Sequence, residues 1–161
     1  MNIELEELTH GNVEAVKRID RSDISEDVVD SVDTIMELTD YGMEHNCLGH
    51  TFAVKTGEAY IGLILLGEAI AWETDPPEMQ SEPFYRLMNF MIDKKYRGNG
   101  IGGKVLEMAV AEVYKDFGVR PIALGCHKDN GLAAKFYLRH GFKRTAYVEG
   151  DDIYYLRYPE R

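Results

Sequence analysis

The sequence predicts an α/β fold in which helices cover one central sheet. Three observations point there. The chain has 161 residues, which suits a single domain over residues 1–161. Short β-rich runs alternate with stretches of helical period. A glycine-rich turn, Gly98 to Gly103, stands between an apolar run and a long amphipathic stretch.

The elements follow in chain order. Asn2 to Leu8 sets Ile3 and Leu5 among acids and reads as a strand. Val13, Val16 and Ile19 recur at helical spacing, and Arg21-Ser22-Asp23 ends that helix. Val28, Val32, Ile35, Met36 and Leu38 predict a longer helix from about Asp27 to Asn46. Thr51 to Lys55 and Ala59 to Leu66 are strands around the turn Thr56-Gly57-Glu58. Pro76, Pro77 and Pro83 make the acidic stretch 68–82 a loop. Phe84 to Ile92 is apolar enough for a buried strand. Ile101, Val105, Met108, Ala109 and Val113 mark a helix over Ile101 to Phe117. Pro121 to Cys126 is a strand, and Leu132 to His140 a helix stopped by Gly141. Phe142 to Val148 and Ile153 to Tyr158 are strands around Gly150-Asp151.

Composition excludes several classes. Apolar residues are 45% and charged residues 29%, enough for a core and against wholesale disorder. The longest apolar run, Ala59 to Leu66, falls far short of the roughly 20 residues that span a bilayer, so no membrane partner is expected. The acidic start reads as no signal peptide. Two cysteines, Cys47 and Cys126, make no disulfide framework, and a reducing cytoplasm is the expected compartment. His45, Cys47 and His50 lack a second ligand pair at zinc-finger spacing, so no metal is expected. Cys126 reads as a core thiol.

The net charge of −10 argues against general nucleic-acid binding. Its distribution says more. Residues 1–46 hold 13 acids and 3 bases, and residues 68–82 hold five acids and no base. Residues 86–144 hold 12 bases and 5 acids. One region favours anions and two favour cations.

The run Arg97-Gly98-Asn99-Gly100-Ile101-Gly102-Gly103-Lys104 carries the loudest local signal. Glycines let backbone approach a ligand, and a helix start offers free N–H groups and a positive dipole end. Three phosphate templates compete. The dinucleotide pattern fits Gly98, Gly100 and Gly103, but no series of βαβ units follows. The triphosphate loop fails where Val105 replaces the Ser or Thr that holds a metal ion. The third pattern, Arg-x-x-Gly-x-Gly, is met by Arg97, Gly100 and Gly102.

A second motif lies downstream. Asn130, Ala133, Phe136, Tyr137, Gly141 and Phe142 fill every fixed position of Asn-x-x-Ala-x-x-Φ-Tyr-x-x-x-Gly-Phe. Together with Arg97 to Gly103 and the strand ending Phe90-Met91-Ile92-Asp93, this resembles the GCN5-related N-acetyltransferases over residues 84–142. In outline the resemblance extends to the whole chain. Where that family often has proline after the Asp, this chain has Lys94.

The resemblance implies an acyl-CoA N-acyltransferase fold with a mixed, mostly antiparallel sheet. It implies acetyl-coenzyme A as co-substrate and acetyl transfer to a primary amine. Arg97, Gly98, Asn99, Gly100, Ile101, Gly102 and Gly103 would hold the pyrophosphate. Phe90, Met91 and Ile92 would hold the pantetheine and acetyl carbonyl, and Asn130 would lie beside the pantetheine arm. Tyr137 would protonate the leaving thiolate. The chemistry fits, because a thiol has pKa about 8.5 and a tyrosine about 10. An ammonium must lose a proton before it attacks, and the candidates for that base are Asp23, Glu26, Glu68, Glu73 and Glu82. Relatives of polyamine type often carry an acid where Met88 and Asn89 stand here.

The acidic segments suit a small cationic acceptor, such as a polyamine or an aminoglycoside-like amine. A protein or peptide amine is the alternative within the class, and a non-catalytic acyl-CoA sensor the alternative outside it. The resemblance also allows a homodimer. Trp72, Tyr60 and Tyr85 fill the core, a dimer face or an acceptor pocket.

Overall fold

A computed structural model describes residues 1–160. A seven-stranded sheet runs in the order β1-β2-β3-β4-β5-β7-β6. Its strands are β1 (Glu4–Glu7), β2 (Gly49–Thr56), β3 (Ala59–Gly67), β4 (Tyr85–Ile92), β5 (Ile122–His127), β6 (Lys143–Glu149) and β7 (Asp152–Arg157). Every neighbouring pair is antiparallel except β4 and β5, which are parallel. The mixed, mostly antiparallel sheet expected from the sequence is therefore present.

Helices α4 (Ile101–Phe117) and α5 (Gly131–Arg139) lie over one face. There Val105, Leu106, Ala109, Val110 and Val113 of α4 meet Ile61, Leu87, Ile122 and Leu124 of the strands. On the other face, α1 (Val13–Val16) and α2 (Val32–Glu44) set Val16, Ile35 and Met36 against Ala53, Leu63 and Met91. The rest of that face is covered by residues 68–84, where Met79 and Phe84 meet Ala123 and Leu156.

Two expectations change. The second helix begins at Val32 rather than near Asp27, because the Ser31 hydroxyl accepts the Thr34 N–H and caps it there. The stretch 68–82 is not loop throughout: α3 (Pro77–Ser81) opens with proline at its first position, where the missing N–H costs nothing. Among the described residues no helix is long and apolar enough to cross a membrane, and no group of three or more His, Cys, Asp or Glu could hold a metal ion. His45 stacks on Tyr41. His50 lies between Glu7 at 2.8 Å and Asp116 at 2.7 Å. Cys47 and Cys126 are free, the latter buried.

Candidate active site

The site begins where β4 and β5 part. Only Tyr85↔Ile122 and Arg86↔Ala123 pair across them. Both strands continue beyond, so a wedge opens inside the sheet. On its other side β4 stays paired to β3 down to Ile92. The Asp93 N–H bonds to the Ile61 carbonyl, which fixes the alternation. Met91 therefore turns its backbone groups to β3, whereas Phe90 and Ile92 turn theirs toward the wedge. A one-residue slip between Leu65 and Leu66 makes Met88 a bulge, so Met88 and Asn89 both reach the α1–α2 face.

The turn after β4 is tied at several points. The Asp93 carboxylate accepts the Lys95 N–H and the Asp20 N–H, both at 2.9 Å. A 3-10 turn, Lys94–Tyr96, leads to Arg97, whose Nε donates to the Ile92 carbonyl at 2.8 Å. Gly98 has φ +85° and Gly100 +74°, the left-handed region that glycine enters freely. Gly100 caps α4, and the first bond back to it comes from Lys104. The N–H groups of Ile101, Gly102 and Gly103 thus have no intrahelical partner at the positive end of a 17-residue helix.

Glycine serves two purposes here. At Gly98 and Gly100 a Cβ would meet nothing within 4 Å. At Gly102 and Gly103 it would meet Phe136 at 3.3 Å and the His140 ring at 2.5 Å, so these two let α5 pack close on α4. Gly98, Gly100, Gly102 and Gly103 line the cleft, whereas Asn99 points to solvent and Ile101 goes into the core.

Helix α5 carries the second motif. Asn130 caps it, its side-chain oxygen accepting the Ala133 N–H at 3.2 Å. At the far end Gly141 has φ +84°, and the Phe142 N–H reaches back to the Tyr137 carbonyl at 3.1 Å. This is a Schellman closure, with Phe142 edge-on to the Tyr137 ring at 5.5 Å. Gly141 and Phe142 therefore position Tyr137. Its hydroxyl has no hydrogen-bond partner among the described residues, and its ring lines the cleft. Burial, with the Cys126 thiol nearby, pushes the hydroxyl pKa well above the ordinary tyrosine value.

These parts enclose a cleft of about 1150 Å³. Phe90, Met91, Ile92, Arg97, the four glycines, Asn130 and Tyr137 meet there, and Asp23, Val28 and Val29 form the opposite lip. The acids proposed from sequence do not gather around it. Glu68 accepts the Leu48 N–H at 2.7 Å and Arg120 at 3.0 Å; the N–H and the guanidinium hold its carboxyl below the usual range. Glu26, Glu73 and Glu82 are exposed and lie outside the cleft lining. Asp23 lines the cleft but pairs with Arg97, whose guanidinium lowers its pKa and makes it a poor proton acceptor.

Sequence reasoning missed Asp30. Its carboxylate takes the Asn89 amide at 3.1 Å, and the Asn89 oxygen takes its N–H at 3.0 Å. The α1–α2 connection thus sets an acid against β4, outside the residues that line the cleft. No local pattern announced this, because the contact spans 59 residues. Of the three aromatics singled out, Tyr85 is fully buried and Tyr60 bonds to Glu6, but Trp72 is exposed under the Arg86 guanidinium at 4.6 Å.

The model of the Acetyltransferase (GNAT) family matches residues 14–142. Among curated proteins none matches the chain. Several solved structures share the fold. The PaiA N-acetyltransferase of Thermoplasma acidophilum in complex with coenzyme A is 19% identical, with TM-score 0.69, covering 99% of this chain and 100% of that one. A spermidine N-acetyltransferase chimera from Vibrio cholerae and hSSAT is 17% identical, with TM-score 0.68 and coverage of 97% and 94%. A chain of the NatC complex bound to Gag peptide and CoA is 18% identical, with TM-score 0.67 and coverage of 99% and 100%.

Proposed function

The chain belongs to the acetyltransferase (GNAT) family, and from that premise we propose that residues 1–161 form one domain that moves the acetyl group of acetyl-coenzyme A to a small cationic primary amine. The observation that carries this is the meeting of three features in one cleft: unpaired helix-start amides, an unpaired strand edge and the free Tyr137 hydroxyl.

The residues fit the co-substrate. Gly98 and Gly100 leave open space where any side chain would stand, and the amides of Ile101 to Gly103 suit a diphosphate. Asn99 and Ile101 would contribute through backbone only. Asn130 borders the path of the pantetheine arm, and the backbone of Phe90 and Ile92 offers its amides a strand to pair with. Acetyl-coenzyme A supplies an activated acetyl group on sulfur. The Phe90 and Ile92 N–H groups, turned to the wedge, are the donors for the carbonyl oxygen. Tyr137 keeps its proton through the usable pH range and gives it to sulfur as the C–S bond breaks. The ammonium first loses one proton to solvent; the free amine then bonds to the acetyl carbon, and the proton that nitrogen sheds returns through solvent to the Tyr137 oxygen, so the products are the N-acetylamine and the free thiol. The two free cysteines fit a reducing, cytoplasmic setting.

Support for a cationic acceptor comes from charge. Residues 1–46 and 68–82, both strongly acidic, cover the sheet face opposite α4 and α5. The test is thiol release from acetyl-coenzyme A over polyamines, diamines, aminoglycosides, amino acids and basic peptides. Release with cationic small amines is expected. Release only with peptides moves the acceptor to a protein amine, and coenzyme A binding without any release makes the domain a sensor.

A further inference from the structure

The α1–α2 connection, residues 17–31, supplies one lip of the coenzyme cleft. Asp23, Ile24, Ser25, Val28 and Val29 line the cleft across from Phe90, Met91 and Ile92. From Arg21 to Asp30 the chain is neither helix nor strand. Within it the Ile24 N–H bonds to the Arg21 carbonyl, and the Val28 and Val29 N–H groups bond to the Ser25 carbonyl. Among the described residues the carbonyls of Ile24, Val29 and Asp30 take no backbone N–H, so a partner must come from a side chain.

One side chain serves all three. Arg21 donates from Nη1 to the Asp30 carbonyl at 2.5 Å, and from Nη2 to the Val29 carbonyl at 2.6 Å and the Ile24 carbonyl at 3.4 Å. Nη1 also lies 3.7 Å from the Met91 sulfur, on β4. These acceptors are main-chain oxygens and a thioether, none of them charged. The guanidinium therefore acts as a planar fork of N–H donors, and its shape matters more than its charge. The residues on either side are tied to the same stretch of chain. The Asp20 N–H bonds to the Asp93 carboxylate, the Asp20 carbonyl takes the Lys94 N–H, and Asp30 exchanges two bonds with Asn89. Both ends of the lip are thus pinned to β4 and its exit, and Arg21 sets the course of the chain between them.

We propose that Arg21 is a positioning residue for acetyl transfer: it holds the lip at a set distance from the Phe90–Ile92 strand edge, and so fixes the path by which the amine reaches the thioester. The inference rests on the acetyl-transfer reading above and adds a residue outside the cleft lining, one that acts through Ile24 and Val29. The diphosphate site has supports of its own. Its turn is held by the Asp93 carboxylate on the Lys95 N–H and by Arg97 Nε on the Ile92 carbonyl, and its amides belong to α4. A loosened lip therefore spoils the approach of the amine, where a displacement of about 1 Å costs on the order of 10²-fold, and leaves the helix-start amides in place. Asp23 travels with the lip, so loosening also relieves Arg97 of its carboxylate partner. The two substrates should then respond in different directions, whereas a merely structural loss would weaken both alike.

The test uses Arg21→Ala and Arg21→Lys in the full chain. Thiol release is followed with acetyl-coenzyme A and the amine of the acceptor panel that the wild type turns over fastest. Arg21→Ala is expected to raise KM for that amine about tenfold or more, with KM for acetyl-coenzyme A unchanged or lower. Arg21→Lys keeps the charge but offers one ammonium to three carbonyls, so KM for the amine should still rise about threefold or more. The lysine variant carries the test if the alanine variant does not fold. Cleavage after the exposed Glu26 by a glutamyl endopeptidase reads the lip without reference to activity, and should quicken about threefold or more in either variant. An unchanged KM for the amine, KM values for both substrates raised alike, or an unchanged rate of cleavage after Glu26 overturns the proposal and leaves acetyl transfer standing. Absence of release by the wild type with every amine overturns the acetyl-transfer reading, and the proposal with it.

Discussion

Arg97 and Asp23 join across the mouth of the cleft, the guanidinium of one bonded to the carboxylate of the other. The same arginine is anchored through Nε to the Ile92 carbonyl, so one side chain links the end of β4 to the α1–α2 connection. An anion at the helix start competes with Asp23 for Arg97. Asp23→Asn removes the competitor and one negative charge, and KM for acetyl-coenzyme A is expected to fall about two- to fivefold. The gain should shrink with added salt, which steady-state kinetics at low and high ionic strength will show. A rise in KM would mean that Asp23 orients Arg97 rather than occupying it.

Tyr137→Phe keeps the ring that packs on Phe142 and removes only the hydroxyl. Expected are a fall in kcat of about 10²-fold or more and a nearly unchanged KM for acetyl-coenzyme A. Because burial raises the hydroxyl pKa, the wild-type profile of kcat against pH should show no loss from Tyr137 up to about pH 10. An alkaline limb that vanishes in the phenylalanine variant would contradict this assignment.

The four glycines of the turn should fail in different ways. Gly100→Ala forces a φ of +74° on a residue with a Cβ, at a cost of about 1–2 kcal/mol, without a steric clash. Gly103→Ala instead drives a methyl into the His140 ring and pushes α5 from α4. It should therefore shift Tyr137, three residues away, and lower kcat as well as the melting temperature. Melting curves and kcat measured together separate the two cases.

Asp75 and Arg86 form a buried ion pair, at 2.9 and 3.1 Å, joined by the Tyr154 hydroxyl and the Trp72 N–H. Burial alone would raise the Asp75 pKa; the bonds from Arg86, Trp72 and Tyr154 outweigh it and hold the carboxyl below its ordinary value. Since the folded pKa is depressed, the stabilisation is present above about pH 4 and is lost as pH falls through the folded value. Asp75→Asn leaves the Arg86 charge unpaired and should cost about 3–5 kcal/mol at pH 7. Urea unfolding from pH 7 to pH 3 should show the gap to wild type closing below pH 4.

Much of this arrangement was readable in the sequence. Local chemistry announced the turn at Gly98–Gly103, the helix limits Ile101–Phe117 and the Gly141-Phe142 closure, because each depends on neighbours within a few residues. Asn130 and Tyr137 were singled out by the resemblance of the 130–142 motif to the acetyltransferase family, not by local chemistry. What stayed hidden depends on distance. Asp75 looked like one more loop acid until Arg86 and Tyr154 came to it, the latter from 79 residues away. Asp30 and Asn89 meet across 59 residues, and neither has a pattern that points to the other. Ser31 also shows how a single cap can override apolar spacing, because Val28 lies outside the helix it seemed to begin.

The parting of β4 and β5 has a mechanical side. Strands β1–β4 and β5–β7 are two half-sheets stitched by two pairs of residues, with the remainder of the seam carried by helices packed across it. A guest lying in that seam would add stitches that the chain itself leaves out. The place where this protein is most open to a substrate is then also the place where its sheet is least reinforced.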